Sequence, residues 1–319
     1  MKKVNRAHFL KLSAAFAGAA MLPRTLRAAP NLQAVRYARP GVMPTIINVF
    51  LYGGASELAG NFTNRADIFS ASVNPYPGGQ GSVTANGFWE QAGGAIMEEM
   101  LAAGDMSIYR TIHRRKDDSK AHDRSITQNL LGNLDLDSPG VGTTLAAVLE
   151  QNGVVSPTDL FPFVTLEGES RVYLPGDQRV SGSLRPVALD ANFANPYELK
   201  RNPFLSSGGS DRLDGLAARQ SEAQQAAGFL TERFEALSDF FTRRGSIASF
   251  VNNLRDMPLP TGVTYPADNR MAARLQAAVN IAAHNPATRF ISVGNGGIGG
   301  WDAHSDALSS YPRNMTAVM

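Results

Sequence analysis

The residues best suited to chemistry lie near the C-terminus, in the motif Trp301-Asp302-Ala303-His304. An Asp and a His two positions apart on an extended loop can both reach one divalent ion, because alternate side chains point to the same side. The glycine-rich stretch 294–300 before them would let the loop fold closely around such a site. The alternative is that Asp302 caps a helix over 303–310 and that His304 lies on its surface. The spacing favours neither interpretation over the other.

A second candidate is the turn Gly53-Gly54-Ala55-Ser56-Glu57, which follows an apolar, β-branched run over 45–52. Ligands of open parallel sheets bind outside the carboxyl ends of strands, and this turn is expected there. Its glycines permit close backbone approach, while Ser56 and Glu57 offer a hydroxyl and a carboxylate. The alternative is an ordinary turn in which Ser56 caps a helix.

The third candidate is His122, in the charged stretch 116–125 that follows a predicted strand over 106–112. Mixed charge of this kind is usually a solvated loop. The position after a strand would nevertheless deliver His122 to the carboxyl edge of the sheet.

The composition restricts how a metal could be held. The chain has no Cys and only five His among its 319 residues. Thiolate zinc sites, cysteine nucleophiles and disulfides are therefore excluded, and any metal must be bound by carboxylates, imidazoles, hydroxyls or carbonyls.

The basic residues are concentrated at the N-terminus. Residues 1–29 hold six of the 30 Lys and Arg and no acid, which leaves 24 bases against 28 acids and a net charge of −4 in the remainder. An acidic body argues against a nucleic-acid partner, because phosphate binding needs clustered Lys and Arg.

The same N-terminal segment has the pattern of an export signal. A charged start precedes an apolar run over 12–22, which is too short to span a bilayer. The stretch 5–11 is similar to a twin-arginine signal but has only Arg6, so the general secretory route is the alternative. We therefore expect a periplasmic or cell-envelope protein with no transmembrane helix; an uncleaved amphipathic helix on a membrane is the other interpretation.

The remainder, 30–319, is predicted to be a single α/β domain with a largely parallel sheet flanked by helices, because strand and helix patterns alternate. Strand patterns cover 45–52, 106–112, 161–166, 172–174 and 289–293, and helical patterns cover 88–103, 121–131, 141–151 and 271–283.

A long helix is predicted over 212–244, as an insertion in this domain. Its apolar residues recur at spacings of three and four, which makes one apolar stripe. Such a stripe is ordinarily core packing; the alternative is the seam of a homodimer.

Several of these segments together resemble an exported bacterial family of unknown function in the alkaline phosphatase and sulfatase-like superfamily. The resemblance rests on Phe9-Leu10-Lys11, Gly53-Gly54-Ala55-Ser56, Ala121-His122 and the stretch from Gly299 to Ser305. It spans most of the chain in order, apart from the less diagnostic middle, 155–265.

The resemblance implies a site at the carboxyl edge of a parallel sheet, where divalent metal ions activate a hydroxyl and stabilise a phosphoryl or sulfuryl group. Asp302 and His304 would be metal ligands, with Zn, Mn, Mg or Ca as the ion. Ser56 matches a position that is serine in some members and is the candidate nucleophile, although a ligand role or none is also open. His122 matches a recurrent histidine of unassigned role, and His122 and Glu57 complete the candidate ligands.

The sequence departs from that family in two places. Members usually continue with a Ser-Glu-Phe-Gly-Arg strand and an Asp-His-Gly turn, so we expect this domain to be incomplete at its C-terminus. Ala59 stands where relatives often carry an acid. Two functions follow: a metal-dependent hydrolase of small-molecule or polymeric phosphate or sulfate esters, or a non-catalytic binding or scaffold protein of the cell envelope.

Overall fold

The structure is a computed structural model. It describes residues 43–53, 84–108, 121–167, 170–176, 180–181, 184–190, 198–199, 219, 246–247, 249–254, 256–258, 262–266, 270–294, 301 and 307–318. The chain divides into two compact units, Met1–Ile46 and Ile47–Met319, and the elements below belong to the second unit apart from Ile46. The predicted export signal lies outside the described residues, as does the predicted helix 212–244 apart from Arg219, which is helical.

Five strands form one sheet with the order β1-β5-β2-β3-β4. They are β1 (Ile46–Phe50), β2 (Phe163–Thr165), β3 (Val187–Asp190), β4 (Glu198–Leu199) and β5 (Phe290–Gly294). β2 is parallel to both β3 and β5, whereas the short β4 is antiparallel to β3. The predicted α/β fold with a largely parallel sheet is confirmed.

Three of the described helices lie between β1 and β2 along the chain, one lies between β4 and β5, and one follows β5. They are α1 (Gly94–Ala103), α2 (His122–Leu131), α3 (Val141–Gln151), α4 (Arg270–His284) and α5 (Ala307–Val318), with short 3-10 helices at Glu90–Ala92 and Arg171–Tyr173. Within the described ranges, no helix combines the length and the apolar character that a membrane crossing requires.

Glycines end two of these helices where the sequence indicates. Gly104 and Gly132 adopt left-handed backbone angles, with φ of 77° and 62°, directly after α1 and α2. Their backbone N–H groups bond to carbonyls of the last helical turn, which satisfies acceptors that the helix leaves open.

One predicted strand is wrong. Residues 172–174 do not extend the sheet, because Arg171–Tyr173 form a 3-10 turn whose first N–H groups need an acceptor. The Ser170 hydroxyl supplies it, accepting from the N–H of Val172 at 3.3 Å. In the predicted strand 106–112, residues 106–108 are irregular, and the remainder lies outside the described residues.

The main core lies on one face of the sheet. Val164 and Leu166 of the β2 segment, with Ile291 and Val293 of β5, are almost fully buried there. They pack against α4 and the helical residues 249–254; the partners are Ala277, Ala278, Ile281, Val251 and Leu254. Alternate residues of the same strands must point to the opposite face, which carries different side chains.

Candidate functional site

The opposite face of the sheet carries polar side chains at its carboxyl edge. Thr165 of β2 lies directly across from Ser292 of β5 in the parallel register. Because side chains alternate along a strand, Glu167 and Gly294, each two residues further on, lie on this same face. We call this surface, made of Tyr52, Thr165, Glu167, Ser292 and Gly294, the polar edge.

Glu167 is its most unusual member. Both carboxylate oxygens are buried, and neither has a hydrogen-bond partner. A Cβ atom added to Gly294 would collide with Glu167 Oε2 and would lie 2.7 Å from Cε2 of the Tyr52 ring. Only glycine at position 294 therefore leaves room for this carboxylate, whose burial without partners is energetically costly.

Two tyrosines lie close to the carboxylate. Burial, and next the negative charge of Glu167, raise the pKa of Tyr52 well above its usual value. The same two causes, in the same order, raise the pKa of Tyr173. The Tyr52 phenol is near enough to Glu167 to interact, but the two side chains do not form a hydrogen bond of good geometry. Both phenols therefore stay neutral around this carboxylate up to strongly alkaline pH.

Tyr173 fixes the 3-10 turn over this face of the sheet. Its hydroxyl lies 2.8 Å from the carbonyl oxygen of Val164 and 3.2 Å from that of Phe290, so its proton can be donated to either. Its ring also meets Phe290 edge-on, with centroids 5.8 Å apart. Tyr173 is thus a rigid wall of the polar edge.

Arg171 connects the polar edge to the start of α2. Its guanidinium pairs with the Asp123 carboxylate at 2.6 Å and donates to the Thr127 hydroxyl. Its positive charge also acts on Tyr52, lowering the pKa of the phenol against the larger opposing effects. His122 is the first residue of α2, next to Asp123, which contacts Arg171.

The chain returns to β1 at Trp301. The Trp301 N–H donates to the Tyr52 carbonyl oxygen at 3.2 Å. The Trp301 ring is buried edge-on against Tyr311 of α5, with centroids 6.0 Å apart, and Tyr311 stacks on Trp89. This aromatic cluster holds residue 301 beside the end of β1.

Two further features border the edge. Arg274, on the second turn of α4, donates to the Gly294 carbonyl oxygen, so its positive charge lies at the end of β5. Tyr173 also lines a cavity of about 480 Å³ between α3 and the start of β3. The described lining is mostly apolar, with Thr143 and Arg185 as its polar members besides Tyr173.

The predicted site residues are only partly described. Ser56, Glu57, Asp302 and His304 lie outside the described residues, as does the side chain of His122. Among the residues that are described, no three His, Cys, Asp or Glu side chains converge in a group that could hold a metal ion.

Sequence reasoning missed Glu167 and Ser292. Residues 161–166 and 289–293 were predicted as strands, but the acid directly after the first and the serine inside the second were not recognised as site residues. The available signal was the position of Glu167 in the sequence, directly after the predicted strand 161–166, because ligands of parallel sheets bind at the ends of strands. The Glu167 carboxylate is buried because it packs against Gly294, and this contact between distant residues cannot be predicted from the sequence.

No protein-family model, curated protein or solved structure matched the chain when it was compared with them.

Proposed function

We propose that this protein is an exported, metal-dependent hydrolase of phosphate or sulfate esters, with its site at the carboxyl edge of the sheet. The ester class follows from the resemblance carried by the Gly53 turn and the Trp301-Asp302-Ala303-His304 motif. The described structure supports the location.

The observation that carries the proposal is the hydrogen bond from the Trp301 N–H to the Tyr52 carbonyl. This bond joins Tyr52, which directly precedes the predicted turn 53–57, to Trp301, the first residue of the motif 301–304. Asp302 directly follows Trp301, and Ser56 is four residues after Tyr52, a reach of at most about 14 Å. A candidate ligand and the candidate nucleophile are therefore one and four residues along the chain from two backbone groups that are in contact.

The third candidate converges on the same region. His122 begins α2, and Asp123 beside it pairs with Arg171, whose charge acts on Tyr52. We therefore expect the three candidate segments to meet around the end of β1, as a site built at the carboxyl edge of a parallel sheet requires.

The donor chemistry at this edge fits a divalent cation. Two of the candidate residues carry carboxylates and two carry imidazoles, which are common ligands of divalent ions. Asp302 and His304 would hold the ion, with Glu57 and His122 as further donors. When bound, the ion would stabilise charge on the phosphoryl or sulfuryl oxygens and favour the ionised nucleophile.

The chain's own residues would then position and attack the ester. The Ser56 hydroxyl, carried on a glycine turn that permits close approach, would attack the phosphorus or sulfur, and its proton would pass to solvent. The bond to the ester oxygen would break, and the alcohol or phenol would leave after taking up a proton. Water would then hydrolyse the serine ester, releasing phosphate or sulfate and restoring the Ser56 hydroxyl. Arg274 and Arg171 place positive charge beside the edge, which would attract an anionic ester.

The test combines metal analysis with turnover by the full chain. Aryl phosphates and aryl sulfates should be hydrolysed in the presence of Zn²⁺ or Mn²⁺, and chelation should abolish the activity. Asp302→Ala with His304→Ala should lose bound metal and turnover, while Ser56→Ala should keep the metal and lose turnover. His284→Gln is the matched histidine control, since His284 contacts the Pro258 carbonyl at 2.9 Å instead.

A folded chain that binds no divalent ion and hydrolyses no ester would refute the hydrolase. That result would favour the alternative, a non-catalytic binding or scaffold protein of the cell envelope. Metal binding that is unchanged in the Asp302 and His304 double variant would refute the assigned ligands.

A further inference from the structure

We infer that Glu167 and Ser292 form a second cation site on the polar edge, which binds a hard divalent cation such as Mg²⁺, Ca²⁺ or Mn²⁺ independently of Asp302 and His304. Nothing in the proposed ester hydrolysis assigns a role to either residue.

The first support is the state of the Glu167 carboxylate. Both oxygens are shielded from water and neither accepts a hydrogen bond. An anion removed from water without hydrogen bonds is strongly unfavourable unless an opposite charge accompanies it. The missing partner of this group is a cation.

The second support is the orphaned hydroxyl of Ser292. Its Oγ is also buried, and although it interacts with the Tyr173 phenol, it forms no hydrogen bond of good geometry. Ser292 lies across from Thr165 in the register, hence diagonally across from Glu167 on the same face. The Tyr173 phenol is affected by both Glu167 and Ser292, which places the two groups around one aromatic ring.

The side chains around this point supply oxygen donors. Besides Glu167 and Ser292 they are the hydroxyls of Thr165 and Tyr52, and the Ser170 hydroxyl also interacts with Tyr52. Oxygen-only surroundings select hard cations over zinc or copper, which prefer nitrogen and sulfur.

The neighbouring basic side chains do not form hydrogen bonds with Glu167. Arg171 is engaged by Asp123 and Thr127, and Arg274 donates to the Gly294 carbonyl. Within the described part of the chain, no Lys or Arg forms a hydrogen bond with the Glu167 carboxylate.

The experiment is calorimetric titration of the metal-free full chain with MnCl₂ and, separately, CaCl₂. Glu167→Gln keeps the side-chain shape and removes the charge, so affinity should fall about tenfold or more. Ser292→Ala should weaken binding by a smaller factor. Glu99→Gln, on the exposed face of α1, removes one charge elsewhere and should leave the affinity unchanged. The Asp302→Ala, His304→Ala double variant should retain the Glu167-dependent binding.

Circular dichroism and urea unfolding of each variant without metal separate lost binding from lost folding. If Glu167→Gln does not fold, Glu167→Asp, which keeps the charge on a shorter side chain, serves instead and should also bind more weakly.

Equal binding by wild type and a folded Glu167 variant would overturn the inference, as would no binding of either ion by the wild type. Loss of the Glu167-dependent binding in the double variant would show that no separate second site exists. Ester turnover without Glu167-dependent binding would leave the proposed function standing, and binding without turnover would leave only this inference.

Discussion

The two faces of the central sheet are built from alternate residues of the same strands, yet they differ in chemistry. On one face, Val164 and Ile291 pack into an apolar core against α4. On the other, Thr165 and Ser292 are neighbours, and Glu167 lies at the strand end with unpartnered oxygens. The described residues of the apolar face are buried against α4 and the helical residues 249–254. The polar edge leaves the oxygens of Glu167 and Ser292 buried without hydrogen-bond partners, and a bound ligand would supply those partners.

The largest expected difference between the two faces is in the free energy of unfolding when a core side chain is truncated. Ile291→Ala removes a side chain that is fully buried, and should lower the free energy of unfolding by about 2–5 kcal/mol. Ile96→Ala on α1 is the matched control, because that side chain is 46% exposed and should change stability by less than about 1 kcal/mol. Urea unfolding measures both. Equal effects would mean that the apolar face is not the stabilising core.

The next effect tests the packing of the polar edge. Gly294→Ala places a methyl group against Glu167 Oε2 and the Tyr52 ring, so it should cost about 1–3 kcal/mol by overpacking. Adding Glu167→Ala removes one of the two obstructions and should restore part of the loss. A Gly294→Ala variant as stable as wild type would contradict the close approach of these groups.

A smaller effect is the response of the polar edge to alkaline pH. The pKa of Tyr52 is raised in the folded state, mainly by burial and then by Glu167, so the folded chain holds the phenolic proton more tightly than the unfolded chain. This contribution to stability is complete below the unfolded pKa of about 10 and decreases as the pH rises above it. Tyr52→Phe should reduce the alkaline loss of stability, measured by urea unfolding at pH 8 to about 11. An identical pH dependence would show that Tyr52 is not in this environment.

The smallest expected effect is that of Ser292→Ala. The Ser292 hydroxyl has no hydrogen bond to lose, so without metal the variant should unfold within about 1 kcal/mol of wild type or be more stable. A comparable truncation of a satisfied group, Thr288→Ala, removes the 2.9 Å bond from the Thr288 hydroxyl to the Phe161 carbonyl and should be destabilising. A large loss for Ser292→Ala in metal-free buffer would mean that its hydroxyl has a partner.

The sequence predicts the apolar face of the sheet better than it predicts the polar edge. The strand that carries Ile291 and Val293 to the apolar face is predicted from the run 289–293, and α3 is predicted from the helical pattern over 141–151. The polar edge depends on register, which brings Glu167 beside Gly294, 127 positions later. The residues 172–174 were likewise predicted as a strand from the β-prone Val172 and Tyr173, whereas the structure has a 3-10 turn at Arg171–Tyr173 that is capped by Ser170.

The claim that the loops after β1 and β5 form one site can be tested directly, because the chain has no cysteine of its own. In a Ser56→Cys, Asp302→Cys variant, the two thiols should form an intramolecular disulfide on mild oxidation, which requires Cα atoms within about 7 Å. A Ser56→Cys, His284→Cys variant should not, since His284 lies about 15 Å along α4 from Arg274 at the carboxyl edge. Mass spectrometry after alkylation reads the result. Thiols that stay free in the first variant, or that pair equally in both, would contradict a shared site.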